Sequence, residues 1–221
     1  MSEAETVPIK IIMVGSINVG KTTLVAKYAI GKTSIKTEST KNASYVNKIK
    51  KVNGIKFEIK LWDTAGQEKY KSLTKLFIKD AKIAILVYSI DNEESFNDLD
   101  SWLNLIKSMN NENVLYGVCA NKSDLASEKT IPDERGKEYA KKINAEWTTT
   151  SAIINGKGID KFVESLFIKY YNSNFTMNNT QSLSITLSSE KTKVEKKSCC
   201  GGGGDNKNET NQDKSKSTQN A

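Results

Sequence analysis

Apolar residues are distributed along the chain in two rhythms. Runs rich in branched side chains recur at about 7–14, 45–52, 55–62, 82–90 and 114–120, with a last short one at about 146–150, and they predict strands. Between them, at about 21–30, 69–79, 93–109, 133–143 and 158–172, apolar residues return every three or four positions and predict helices with one buried face. Phe96, Leu99, Leu103 and Ile106 illustrate the second rhythm. Strand alternating with helix implies a mostly parallel sheet with helices on both faces. One pair of runs breaks the alternation. Val52-Asn53-Gly54 separates two strand patterns, and Asn-Gly in that setting is the strongest short hairpin signal, so the sheet should carry one antiparallel edge. Past about residue 174 the chain turns to Asn, Ser, Thr and Lys without an apolar period that could bury a core. The expected organisation is an N-terminal extension over about 1–7, one domain over about 8–173, and a disordered tail over about 174–221.

Composition narrows the class. With 221 residues and 37% apolar content, the chain can bury one sizeable core. The formal charge of +7 could mark a nucleic-acid binder, but the lysines are scattered and Arg135 alone interrupts them, which argues against that role. No apolar run approaches the roughly 20 residues needed to span a bilayer, and MSEAETVPIK lacks the apolar centre of a signal peptide, so a cytoplasmic protein is expected. The three cysteines form neither a disulfide framework nor a metal-ligand spacing. Cys119, inside an apolar strand, is expected to be a small core residue. Histidine is absent, which removes the commonest general base and metal ligand.

The candidate chemistry lies where strands end. Gly15-Ser-Ile-Asn-Val-Gly-Lys-Thr22 has the form G-x-x-x-x-G-K-[ST] and stands between a strand and a helix. Backbone N–H groups of such a loop and the N-terminus of the following helix can face a phosphate. Lys21 would reach the β- and γ-phosphates, and Thr22 would offer its hydroxyl to Mg²⁺. Leu61-Trp-Asp-Thr-Ala-Gly-Gln-Glu68 puts Asp63, a carboxylate able to hold Mg²⁺ through water, at the end of another apolar strand, with the Gly66 N–H placed to meet a γ-phosphate. Taken alone this segment could be a surface turn. Asn121-Lys-Ser-Asp124 and Thr150-Ser-Ala152 end two further strands. Ligands of open α/β sheets gather at the carboxyl ends of strands, so these motifs should converge on one site.

In order and spacing these motifs resemble those of the Ras superfamily of small GTPases, and WDTAGQE with its Trp resembles the Rab branch. The resemblance covers about residues 8–173. It implies a phosphate-loop NTPase three-layer sandwich, α/β, with a six-stranded, mostly parallel sheet and helices on both faces. It also implies GTP and GDP as ligands with Mg²⁺. Gly15, Asn18, Val19, Gly20, Lys21, Thr22, Thr23, Thr40 and Gly66 would hold phosphates, and Thr22, Thr40 and Asp63 the metal. Asn121, Lys122, Asp124, Ser151 and Ala152 would hold guanine, with Asp124 pairing the N1 and 2-amino groups that adenine does not offer as donors. Gln67 would orient the attacking water beside Lys21, and hydrolysis to GDP and phosphate would be slow without an activating protein. Loops at about 34–45 and 63–77 would be ordered by the γ-phosphate and read by partners. The implied partners are effectors, a GTPase-activating protein, an exchange factor and a GDP-dissociation inhibitor. The implied role is vesicle traffic, with cycling from the cytoplasm onto the cytosolic face of endomembranes. Asp124 argues against an ATP-using phosphate-loop kinase.

The chain departs from the family at four places. Ile17 replaces a small residue on the phosphate loop and is expected to crowd Gln67 and an activator's finger, so the alternative is a GTP-binding scaffold with negligible hydrolysis. Lys41-Asn42 replaces Ile-Gly after Thr40 and alters the effector surface. Thr33 replaces a base-stacking aromatic, for which Tyr28 or Ile35 could substitute. Ile153 replaces Lys and leaves the base amide of Ala152 in place. Tyr70, Leu73, Leu76 and Phe77 combine core packing with partner reading. Trp62 is either buried or part of an exposed aromatic cluster with Tyr45 and Phe77. In the tail, Lys191, Lys193, Lys196 and Lys197 precede Cys199-Cys200, a basic patch beside candidate lipid sites that would tether the chain to a membrane. GGGGDNKNETNQDKSKSTQNA follows the pair, so two unmodified thiols are the other reading.

Overall fold

The sheet is built outward from the first apolar run. A computed structural model of the chain describes residues 6–30, 44–64, 71–110, 113–128, 130–154 and 158–175. All of these fall in the unit Met1–Leu183. In chain order the elements are β1 (Thr6–Val14), α1 (Lys21–Ile30), β2 (Ser44–Val52), β3 (Ile55–Asp63), α2 (Lys71–Ile78) and β4 (Ile83–Ser89). There follow α3 (Glu93–Asn97), α4 (Leu99–Met109), β5 (Leu115–Asn121), α5 (Asp133–Lys142), β6 (Glu146–Thr149) and α6 (Ile159–Phe175). The strand order is β2-β3-β1-β4-β5-β6. Every neighbouring pair is parallel except β2 with β3. The mixed, mostly parallel six-stranded sheet expected from the sequence is therefore the sheet found.

The antiparallel edge follows from two residues. Asn53 (φ 49) and Gly54 (φ 81) are both left-handed, and Val52 pairs with Ile55. This is the two-residue turn whose twist matches that of the flanking strands.

Side-chain alternation along the strands divides the interior into two layers. On β1, Ile9, Ile11 and Met13 join Leu24 and Val25 of α1 and Phe162, Leu166 and Phe167 of α6. Ile12 and Val14 face the other way, against Trp102, Leu103 and Ile106 of α4. All seven residues of β4 are buried, and fully burying its Ile, Leu and Val side chains stabilises by about 1.5–3 kcal/mol each. Cys119 is fully buried and makes a 3.1 Å contact with the Thr150 hydroxyl. Burial pushes its thiol up to about 12, as befits a core residue.

The helix expected over about 93–109 is interrupted. Asn92 caps α3 by accepting from the Ser95 N–H at 2.8 Å, and Glu93 and Glu94 in the first turn suit the helix dipole. At Asp98 the backbone stays right-handed (φ −71, ψ −12). The path also continues through Asp98 N–H to Glu94 carbonyl at 2.9 Å and Trp102 N–H to Asp98 carbonyl at 3.2 Å. Periodicity is blind to so small a break, because the apolar stripe continues across it. A short 3-10 turn at Ala126–Glu128 was likewise too brief to leave a period.

Candidate functional site

Because the strands beside β1 are parallel to it, their carboxyl ends share one rim, and the polar motifs meet there. The loop after β1 is shaped by backbone conformations that exclude most side chains. Gly15 has φ +147, and a Cβ on it would fall 2.1 Å from the Val87 carbonyl oxygen. Gly20 has φ +91, and its Cβ would fall 2.4 Å from Nδ2 of Asn121. Asn18 takes a left-handed conformation at φ 62, which asparagine tolerates better than most residues.

Lys21, at the first position of α1, is 5% exposed. Its ammonium donates to the Gly15 and Ser16 carbonyls, both at 2.8 Å. Burial lowers it to about 8, with the Asp63 carboxylate pulling the other way. Asp63 itself is 1% exposed at the end of β3, where it pairs with Met13 of β1 and Ser44 of β2 in the sheet register. The next residue fixes this strand end, since the Thr64 hydroxyl donates to the Met13 carbonyl at 2.7 Å.

A buried chain of hydrogen bonds joins the phosphate loop to the motifs of β5 and β6. Asn121 Nδ2 donates to the Val19 carbonyl at 2.7 Å, and Asn121 Oδ1 accepts from the Thr150 hydroxyl at 3.1 Å. The Ser123 N–H reaches the Thr150 carbonyl at 2.9 Å. Lys122 stands at φ 62 with its ammonium 3.8 Å from Asp91. Ser151, fully buried, donates from its hydroxyl to Asp124 Oδ1 at 2.5 Å. The Ser151 hydroxyl oxygen in turn accepts from the N–H groups of Ile153 at 3.1 Å and Ile154 at 3.0 Å. Ala152 lies inside this tight turn.

The structure thus brings together Gly15, Asn18, Val19, Gly20, Lys21, Thr22, Thr23, Asp63, Asn121, Lys122, Asp124, Ser151 and Ala152. Thr40, Gly66, Gln67, Cys199 and Cys200 lie outside the described residues, as do Thr33, Ile35, Lys41, Asn42, Tyr70 and the tail lysines. Tyr28 does not fill the place of a base-stacking ring. It is 5% exposed in the core between α1 and α6, its ring covered by the Lys48 ammonium at 3.8 Å.

Other participants take roles that the motif pattern does not assign. Thr150 bridges to Asn121, and Ser16 on the loop donates to Asp98 Oδ2 at 2.6 Å. Lys27 runs beneath the Ser151–Ile154 turn.

The donor set suits Mg²⁺. Thr22 at the start of α1 and Asp63 at the end of β3 offer hard oxygens. Mg²⁺ is bound in that way, through one or two protein oxygens with water and substrate phosphates completing the shell.

A second surface lies beside the rim. Trp62 on β3 packs between Tyr45 of β2 (ring centroids 4.7 Å apart) and Phe77 of α2 (5.7 Å). Tyr45 is 49% and the neighbouring Leu76 72% exposed, while Ile78 is fully buried. Trp62 falls between the two readings: it is half-buried, leaning on the α4-side core, and belongs to a partly exposed aromatic cluster.

Comparison with known proteins agrees with this geometry. The Ras family profile matches residues 10–172. The Ras-related protein Rab-21 of Geodia cydonium is 37% identical over 147 residues, which is 66% of this chain and 64% of that protein. Rab-11B of Dictyostelium discoideum is 35% identical over 178 residues, 80% of this chain and 79% of that protein. Human Rab-21 is 34% identical over 152 residues, 69% of this chain and 67% of that protein. The matched part thus spans less than two thirds of the Geodia cydonium relative and more of the other two. With the glycine-built loop after β1, a strand-end aspartate and the Ser151–Ile154 turn in one rim, and with this likeness across three quarters of its length, the chain belongs to the Ras family and is a Rab-type small GTPase.

Proposed function

We propose that the rim binds GTP and GDP and that the chain works as a switch in vesicle traffic, hydrolysing GTP slowly to GDP and phosphate. The observation that carries this reading is Asp124. Its carboxylate is fixed by the Ser151 hydroxyl beside a turn that Asn121 ties to the phosphate loop. A carboxylate accepts from the N1 and 2-amino donors of guanine, whereas adenine presents no such donor pair, and leaving buried polar groups unpaired is what makes the wrong base costly.

Loop amides and Lys21 would hold the phosphates, with Gly15, Asn18, Val19 and Gly20 shaping the cradle. Thr22, Thr40 and Asp63 would hold Mg²⁺, which when bound neutralises charge on the phosphate oxygens. Phosphoryl transfer asks for positioning and charge stabilisation more than covalent help. Lys21 supplies charge, and Gln67 and Gly66 would align water and γ-phosphate. An activating protein is expected to be needed for fast turnover. Effectors would read the Tyr45–Trp62–Phe77 cluster, and an exchange factor and a GDP-dissociation inhibitor complete the expected set of regulators. None of the described helices is long and apolar enough to cross a membrane. Attachment to the cytosolic face of endomembranes would rest on lipid at Cys199 and Cys200, and intact mass of the native protein tests that assignment.

The test of the main reading is the nucleotide that copurifies with the protein and its fate. GTP and GDP are expected, with GTP converted to GDP over time, and Asp124→Ala should abolish the preference for guanine nucleotides over ADP. Equal affinity for ADP in wild type would overturn the reading. GTP persisting for hours with an activator present would instead identify a scaffold.

A further inference from the structure

Lys27 is an unusual side chain for its position. It sits in the middle of α1, where a lysine in an amphipathic pattern reads as a solvated face, yet it is only 4% exposed. Its ammonium donates to two carbonyls more than a hundred residues away, that of Ser151 at 2.8 Å and that of Ile154 at 2.6 Å. Those two carbonyls are the ends of the turn that carries Ala152. The N–H groups of Ile153 and Ile154 are already taken by the Ser151 hydroxyl. The turn is therefore held from both sides, its amides by Ser151 and its carbonyls by Lys27.

The placement on α1 matters. The same helix begins with Lys21 in the phosphate loop, and six residues along a helix rise about 9 Å. One rigid element thus grips the phosphate end of the site with its first lysine and the base end with its second.

We propose that Lys27 is a positioning residue that keeps the base-reading turn closed and thereby sets how long a guanine nucleotide stays bound. This deepens the guanine-binding reading above and rests on it. Lys27 acts through the turn: by fixing the Ser151 and Ile154 carbonyls it fixes the Ala152 amide and the Ser151 hydroxyl that orients Asp124. Exposed apolar side chains beside the turn, Ile153 at 67% and Ile154 at 43%, offer no polar substitute for that hold.

The test is release of fluorescently labelled GDP from full-length protein with Mg²⁺, chased with excess unlabelled GDP. Lys27→Met keeps an unbranched apolar stem and removes the donors. Hydrogen bonds from charged donors are each worth roughly a factor of ten or more, so release is expected to accelerate at least about tenfold. Lys27→Arg keeps donors and should stay within about threefold of wild type. Release from Lys27→Met within about twofold of wild type would overturn the proposal, as would Lys27→Arg releasing as fast as Lys27→Met, which would make the residue a packing element only. If Lys27→Met fails to fold by circular dichroism, Lys27→Gln, with a shorter stem and a neutral donor, serves in its place. Release intermediate between wild type and a fully loosened turn is then expected, and a wild-type rate overturns the proposal. Wild type that shows no preference for GDP over ADP would sink the guanine reading and this inference together, whereas a preference for GDP with unaltered release from the variants sinks this inference alone.

Discussion

Gly20 and Gly54 both stand at positive φ, but their surroundings set different costs for a side chain. At Gly20 an added Cβ would lie 2.4 Å from the Asn121 amide, whereas at Gly54 nothing lies within 4 Å. Gly54→Ala is therefore expected to lose only the backbone term, about 1 kcal/mol, seen as a lower urea midpoint with unchanged GDP release. Gly20→Ala should lose that much again or more, because the displaced Asn121 gives up its bond to the Val19 carbonyl, worth about 1 kcal/mol or more when buried. Its GDP release should quicken as well. Equal midpoints and equal release for the two variants would show that Asn121 does not tie the loop. Ile17 is the other telling residue here, 39% exposed on the same loop. Ile17→Ser is expected to raise activator-stimulated GTP turnover at least about tenfold, a small part of the roughly thousandfold or more that a well-placed arginine finger supplies. Matching rates would clear its bulk of blame.

Helix α5 tests packing against propensity. A Cβ on Gly136 would come 2.3 Å from Tyr88 Oη and 2.5 Å from Trp147 Nε1, and Tyr88 is fully buried and has no room to yield. Alanine gains about 1 kcal/mol over glycine in a helix, while overpacking costs typically about 1–3 kcal/mol. Gly136→Ala is thus expected to lower stability by about 1 kcal/mol in urea denaturation, and a gain would mean that α5 shifts outward cheaply. At this scale much was legible in advance. The long periodic runs gave the strands and helices, Asn53-Gly54 gave the hairpin, and Gly15 and Gly20 announced a loop that only glycine can build. What stayed hidden depends on distance through space. Asp98 interrupts the α3–α4 path where it meets Ser16, 82 residues away. Lys27 looks like any solvated lysine until the 151–154 turn is folded over it. The sequence offers Tyr28 as a base-stacking ring, but the core claims it.

At the scale of the whole molecule, Cys119, Tyr28, Tyr88 and Lys21 among the described residues are expected to shape the response to alkali. Burial raises Cys119 from 9.0 to about 12 and Tyr28 and Tyr88 from 10.0 to about 12. For these acids the unfolded chain ionises first, so their contribution is intact below about pH 9 and is lost as pH climbs toward 12. Lys21, lowered from 10.5 to about 8, works in the opposite sense. Its burial penalty is present below pH 8 and fades by 10.5, because the folded state sheds its proton first. The nucleotide-free protein should therefore hold or slightly gain stability up to about pH 9 and lose it steeply above about 10.5, read as the urea midpoint across a buffer series. A midpoint still climbing at pH 11 would contradict this balance.

Asn121 touches the Val19 carbonyl with one end of its amide and the Thr150 hydroxyl with the other, so a single planar group spaces the two halves of the rim. Pyrophosphate alone or guanosine alone would meet only half of a matched gauge. Joined at the right length, the second half docks at the high effective concentration that the first provides, and the intact nucleotide should bind far more tightly than its fragments would suggest.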